Sequence, residues 1–171
     1  NPVLPTKVAT DASYLTALDR LIDPKTVSHL NVGVASHNIY SLATAVELAK
    51  ERRIGREVGV EMLAGMAVPL QRVILDEVGA LRLYVPVVPR SEFDAAISYL
   101  VRRLEENAAP ENFMSGAAAL GRDQEFLDRE ESRYRDAMAL VGAPTPTDWA
   151  TQVRSEATAI FANTADTDPA L

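Results

Sequence analysis

Cysteine is absent from the 171 residues, which removes disulfides, thiolate metal sites and a cysteine nucleophile at one stroke. That suits a reducing compartment, and a cytoplasmic location is the expectation. Histidine is scarce: His29 and His37 are the only two, too few for a histidine-rich metal site. Apolar runs stop far short of the roughly 18–20 residues a membrane span needs, so no transmembrane segment is expected. The opening "NPVLPTK" has neither a methionine nor the pattern of a secretory signal, and it reads as the start of a mature or excised piece. Positive charge is in short supply, with 17 Lys and Arg against 24 Asp and Glu for a net charge of −7. That balance argues against nucleic acid or an anionic membrane surface as a partner, since both call for basic patches.

Apolar residues are plentiful enough, at 47%, for one domain with its own core. Thr10 and Asp11 can cap a helix over "ASYLTALDRLI". "HLNVGVAS" (29–36) reads as a buried strand. "SLATAVELAKERR" (41–53) reads as a helix with Leu42, Ala45, Val46 and Ala49 on one face. A second strand, "EVGVEML" (57–63), is followed by the helix "VPLQRVILDEVG" (68–79), where Pro69 suits the first turn and Gly79 the stop. The third strand is "LRLYVPV" (81–87), and "SEFDAAISYLVRRLEEN" (91–107) is the helix after it. Strand and helix alternate, with strands starting roughly 25 residues apart, as in βα units around a parallel sheet. "GRDQEFLDREESRYRDAMALVG" (121–142) then reads as one charged helix with Leu127, Tyr134, Met138 and Val141 as its apolar line. "APTPT" breaks it, "DWATQVRSEATAIFAN" (148–163) can be a last helix, and "TADTDPAL" a linker or tail.

In parallel βα architectures, sites form where the carboxyl ends of strands meet the following loops. "ASHN" (35–38), "MLAGM" (62–66) and "YVPV" (84–87) fall there. The helix after the third strand carries Tyr99, Arg102, Arg103 and Glu106 on one stripe about 100° wide. Phe93, Ile97, Leu100 and Leu104 form a second stripe, able to anchor the helix to a core. Two adjacent guanidiniums repel, and a carboxylate ligand relieves this, because an arginine fork takes two oxygens in parallel hydrogen bonds. Glu106 can hold one arginine when no ligand is present, and Tyr84 and Tyr99 can offer rings and hydroxyls around an organic acid. The plainer reading is a solvated, ion-paired helix face. Likewise "SHN" serves equally as a helix cap with His37 bonded locally, Lys7 as a surface lysine, and "AGM" as a turn needing glycine.

Taken in order, "TK" with "TDASYL" (6–15), "VASHN" (34–38), "EMLAGM" (61–66), "LRLYVPV" (81–87) and "YLVRRLEEN" (99–107) resemble proline dehydrogenase, in particular the domain found in the bifunctional proline utilization A flavoenzymes. The resemblance spans about residues 2 to 115. It implies a (β/α)₈ barrel that binds FAD and oxidises L-proline to pyrroline-5-carboxylate by hydride transfer to the flavin. It places Arg102 and Arg103 on the proline carboxylate, and Leu63, Tyr84 and Tyr99 around the ring. Ser36, His37 and Asn38 match a cofactor-contacting "THN", with serine for threonine. Thr6 and Lys7 match another cofactor-contacting stretch, and Glu106 a residue near the flavin. Ala108 stands where the family often has Thr or Ser.

The resemblance also implies a truncation. Only the last three βα units of the barrel are expected, in residues 1–115. A helical extension (116–171) would lead toward an absent aldehyde dehydrogenase domain, which is where NAD would act. The family's catalytic lysine and aspartate lie on earlier strands, so no catalytic residue is expected in this segment. Three strands cannot close a barrel, and they leave an edge and a sheet face bare. The expectation is therefore part of an FAD-dependent oxidoreductase that is inactive alone and self-associates. Its parent would pass electrons to a quinone or other acceptor, with membrane association through that transfer. Two further readings stand beside it: a non-catalytic association module using the acidic helices, and a small independent α/β enzyme acting on organic acids.

Overall fold

Two valine-bearing segments and one leucine-bearing segment become strands where their alternation is cleanest: β1 (Val32–Ala35), β2 (Val58–Leu63) and β3 (Leu81–Tyr84). They lie in the order β1-β2-β3 with both pairings parallel, as helical crossovers require. Val34 stands opposite Val60, and Val60 opposite Leu81. Side chains alternate across a sheet, so Val32, Val34, Val60 and Met62 are buried on one face. The other face carries Gly33, Ala35, Gly59, Arg82 and Tyr84, all exposed. β3 is shorter than the expected 81–87. Pro86 has no N–H to continue a ladder, and the last backbone bond there runs from Ala64 N to Tyr84 O at 2.9 Å.

The computed structural model describes Leu4–Ala143, which form one unit; the expected helix over 148–163 lies outside the described residues. α1 (Lys7–Leu21) is followed by the short α2 (Pro24–Val27). α3 (Ile39–Glu51) and α4 (Val68–Val78) connect the strands, and α5 (Phe93–Ala108) follows β3. A 3₁₀ turn (Phe113–Ala119) leads to α6 (Gln124–Met138). The core joins Ala12, Leu15, Leu18 and Ile22 to Leu42, Ala45 and Ala49 of α3 and to the buried sheet face. The expected inward face of α3 is the observed one. α4 stops at Gly79, whose φ of 75° is left-handed and whose N–H bonds Leu75 O at 2.8 Å, a geometry that suits glycine.

Three expectations change. α1 begins one turn earlier than Thr10 and Asp11: Thr6 Oγ1 accepts from Ala9 N at 3.1 Å, while Asp11 sits inside the helix paired with Lys7. The apolar stripe of α5 does not anchor it. Phe93 and Leu104 are each 61% exposed, Ile97 and Leu100 are exposed too, and Ala96 is the buried residue of the helix. Among the described residues the main neighbours of α5 are the 3₁₀ turns that flank it, Arg90–Glu92 and Phe113–Ala119, so nothing there receives the stripe. The inward face of α6 is turned from the expected line. Phe126, Glu130 and Ala137 are buried and Met138 is exposed, because α6 docks on α1. Tyr134 stacks on Tyr40 of α3, with ring centroids 5.2 Å apart, and shares a 2.8 Å hydrogen bond with Thr44.

Candidate functional site

A cleft of about 560 Å³ opens at the carboxyl end of β1, between α1, the start of α3 and the end of α5. It gathers Lys7, Ser36, His37, Asn38 and Glu106 from well-separated parts of the chain. The cleft also takes in Tyr14, Asn107 and Asn112. Thr6 is adjacent in sequence but is not part of the wall, since its side chain caps α1.

The "SHN" segment does local structural work first. Asn38 Oδ1 accepts from Tyr40 N at 2.9 Å and from Ser41 N at 3.5 Å, so Asn38 is the N-cap of α3. Ser36 Oγ accepts from Asn38 N at 3.0 Å. His37 Nε2 accepts from Leu63 N at 3.2 Å, tying β1 to the end of β2. An accepting Nε2 assigns the proton of a neutral ring to Nδ1, and burial holds the imidazole below its usual pKa of 6.5. The Oδ1 of Asn38 and the Nε2 of His37 are thus committed. What this segment can offer a ligand is the Asn38 amide, the Nδ1–H of His37 and the Ser36 hydroxyl. Lys7 is committed to Asp11. Tyr14 donates to Ala35 O at 3.1 Å, and burial raises its phenol above 10.0.

The second group lies along α5. Arg103 Nη2 donates to Glu106 Oε1 at 2.6 Å, and its guanidinium lies over the Tyr99 ring, 5.4 Å from the centroid. The stripe expected from spacing is therefore real for Tyr99, Arg103 and Glu106, and Arg102 is exposed. Arg103 Nε is buried and, among the described residues, is the one such side-chain atom without a hydrogen-bond partner. Buried polar groups nearly always have partners, so this N–H marks a place for an acceptor.

Leu63 and Tyr84 face each other across β2 and β3, but the Tyr84 hydroxyl is already engaged, donating to Glu61 Oε2 at 2.8 Å. That bond, then burial and the charge of Glu61, raises the phenol above 10.0. Glu61 was not singled out from the sequence. Its signal was there: an acid in phase with Gly59, on the strand face opposite Val58, Val60 and Met62. The turn after Leu63 is the one "AGM" implied, with Gly65 at φ 79°. Ala67 also has a positive φ of 49°. Gln71, buried, clamps the turn by donating Nε2 to Leu63 O and Met66 O, both at 2.8 Å. Asn107 Nδ2 reaches Met66 Sδ at 3.0 Å and links α5 to the same turn. Among the described residues there is no cluster of three or more His, Cys, Asp or Glu able to hold a metal. Nor is any helix there long and apolar enough to cross a membrane.

A family model described as proline dehydrogenase matches residues 1–116. The chain is 32% identical over 123 residues to the Bifunctional protein PutA of Klebsiella aerogenes, covering 68% of this chain and 9% of that protein. It is 36% identical over 115 residues to Proline dehydrogenase 1, mitochondrial, of Dictyostelium discoideum, covering 63% of this chain and 19% of that protein. The structure of Proline Utilization A (PutA) from Corynebacterium freiburgense superposes with a TM-score of 0.65 at 38% identity, over 80% of this chain and 12% of that one. The chain thus spans less than a fifth of the length of the curated relatives it matches.

Proposed function

From the premise that this chain belongs to the proline dehydrogenase family, we propose that it supplies the substrate-carboxylate arginines and part of the FAD site of an enzyme oxidising L-proline to pyrroline-5-carboxylate. The observation that carries this reading is the unpartnered Arg103 Nε. Nε and Nη2 share one edge of a guanidinium, the edge that a carboxylate takes bidentately. Glu106 now occupies only Nη2. A proline carboxylate would take Arg103 Nε together with Arg102, while Tyr99, Tyr84 and Leu63 enclose the ring.

FAD, when bound, supplies the acceptor for the hydride leaving proline. The residues of the cleft fit one portion of that cofactor and not all of it. Ser36, His37 and Asn38 offer hydrogen-bonding groups, and Glu106 stands at the same wall. Lys7, the one cation among the described residues lining the cleft, is neutralised by Asp11, and Glu106 is paired with Arg103. A pyrophosphate therefore has to be held by residues other than these. In this reading Thr6 acts on the cofactor only through the placement of α1.

The three βα units are read as the last three of a (β/α)₈ barrel, formed by residues 1–115. Residues 116–171 are read as the connection toward an NAD-dependent aldehyde dehydrogenase domain. The general acid–base groups of the reaction would come from other strands, so the isolated chain is inactive. In the assembled enzyme the flavin passes its electrons to a quinone or other acceptor, from a cytoplasmic protein that meets the membrane through that transfer.

The test is proline-dependent reduction of bound flavin by the full-length protein that carries this segment. Arg103→Lys keeps the charge and loses the fork. Its KM for proline should rise roughly tenfold, about 1.4 kcal/mol, with flavin content unchanged. Glu105→Ala, an exposed residue off the stripe, should leave KM alone. An unchanged KM in Arg103→Lys, together with lowered thermal stability, would return the stripe to the reading as an ion-paired helix face.

A further inference from the structure

The bare face of the sheet carries one acid. Glu61 stands opposite Ala35 on one side and Arg82 on the other, and its side chain is only 13% exposed. Both carboxylate oxygens are used: Arg82 Nη1 donates to Oε1 at 2.6 Å and Tyr84 Oη donates to Oε2 at 2.8 Å. Gly33 makes room for it. A Cβ at that position would lie 2.6 Å from Glu61 Oε1 and 2.8 Å from Cδ. The carboxylate thus lies flat across β1, over a glycine, and reaches back to β3.

Tyr84 has few other restraints. It is the last residue of β3, half exposed, and followed by the exposed Val85 and Val87. An aromatic side chain at a strand end, on an uncovered sheet face, has several open rotamers. A charge-assisted hydrogen bond from its hydroxyl selects among them. The cross-strand pairing of Glu61 with Arg82 fixes the acceptor in turn, as opposite charges on facing strands do.

We propose that Glu61 is a positioning residue, which fixes the Tyr84 ring at the carboxyl end of the sheet through the hydroxyl and so sets the fit of the substrate's ring. This rests on the reading of Tyr84 as part of the proline site. Glu61 itself touches neither substrate nor cofactor. Its effect on turnover passes through Tyr84 alone, and Arg82 serves to hold Glu61.

The experiment has two arms. In the first, the 171-residue chain is titrated from pH 8 to 12 by phenolate absorbance, and subtraction of the Tyr84→Phe curve isolates Tyr84. Wild type should ionise above 10.0. Glu61→Gln, which keeps an acceptor without the charge, should lower the transition, and Glu61→Ala should lower it further. A Tyr84 transition that stays in place in both variants overturns the proposal. In the second arm, the full-length flavoenzyme is assayed with proline. Glu61→Ala and Tyr84→Phe should raise KM by a similar factor, the double variant should be no worse than either, and Glu61→Gln should recover most of the loss. If Tyr84→Phe raises KM while Glu61→Ala does not, this inference fails and the reading of the site stands. If Tyr84→Phe leaves KM unchanged, the site reading fails with it. Circular dichroism and flavin content confirm that each variant is folded, and Glu61→Gln keeps the test decisive if Glu61→Ala is not.

Discussion

His37 shows how one side chain couples local structure to solution conditions. Its Nε2 can accept the Leu63 N–H only while the ring is neutral, and burial disfavours the charged form in the folded state. The unfolded chain therefore takes up a proton first as pH falls. The contribution of His37 is complete above about pH 6.5 and is lost progressively below it, until the folded imidazole protonates as well. Urea midpoints measured from pH 7.5 to 5 should decline, and His37→Gln should flatten that decline. His29 is exposed and makes a fitting control. A slope that survives in His37→Gln would assign the acid sensitivity to another group. Such roles are hard to read from sequence. "VASHN" announced a loop with polar groups, but a backbone partner 26 residues away depends on the register of two strands. Glu61 is hard to read from sequence for a similar reason. Within "EVGVEML" it looks like one more surface acid, and its meaning comes from Gly33, Arg82 and Tyr84 on neighbouring strands.

Among the elements, the parallel sheet and the order of its helices were legible, because strand alternation, the Pro69 start signal and the Gly79 stop signal are local. The face of α3 was legible for the same reason: Leu42, Ala45, Val46 and Ala49 have one place to go. The α1 start was misread, since Thr6, Thr10 and Asp11 are all competent caps and the choice depends on what the first turn packs against. Substitution separates these. Thr6→Ala should cost about 1 kcal/mol in urea unfolding, while Thr10→Ala, which loses only a hydroxyl bond to Thr6 O at 3.1 Å, should cost less. The reverse order would move the helix start to Thr10. The α6 face is legible in part: Tyr134 and Val141 pack against the core as the apolar line implies, while charge obscures the rest of the face. Glu130 is 2% exposed, yet it is an acid. Two arginines make that tolerable: Arg129 Nε reaches it at 3.1 Å and Arg133 Nη1 at 3.0 Å. Arg133 also donates to Glu111 O at 3.1 Å. Removing one partner of a buried pair leaves a charge without compensation, so Glu130→Ala should destabilise more than Glu125→Ala at the exposed first turn.

At the scale of the molecule, the described residues carry a mismatch between what is apolar and what is covered. Phe93, Ile97, Leu100, Val101 and Leu104 of α5 are exposed together, as are Leu83, Val85 and Val87 around the end of β3. Covering a large apolar side chain is worth about 1.5–3 kcal/mol. Such surface is larger than single scattered residues would present, and contiguous apolar patches are the usual sites of association. Two measurements follow on the isolated chain. It should be colourless after gel filtration, because the cleft at β1 offers no uncommitted lysine for a pyrophosphate, and a flavin band at one per chain would contradict that. It should also self-associate, with the apparent mass in light scattering rising with concentration. The two properties separate by substitution. Leu104→Glu with Phe93→Ser removes apolar surface that is already exposed, so stability should change little while the mass falls toward that of one chain. If the wild-type chain is a monomer at high concentration, or if the double variant assembles as before, the α5 stripe is not what drives association, and the bare sheet with its Glu61–Arg82–Tyr84 cluster is the surface to substitute next.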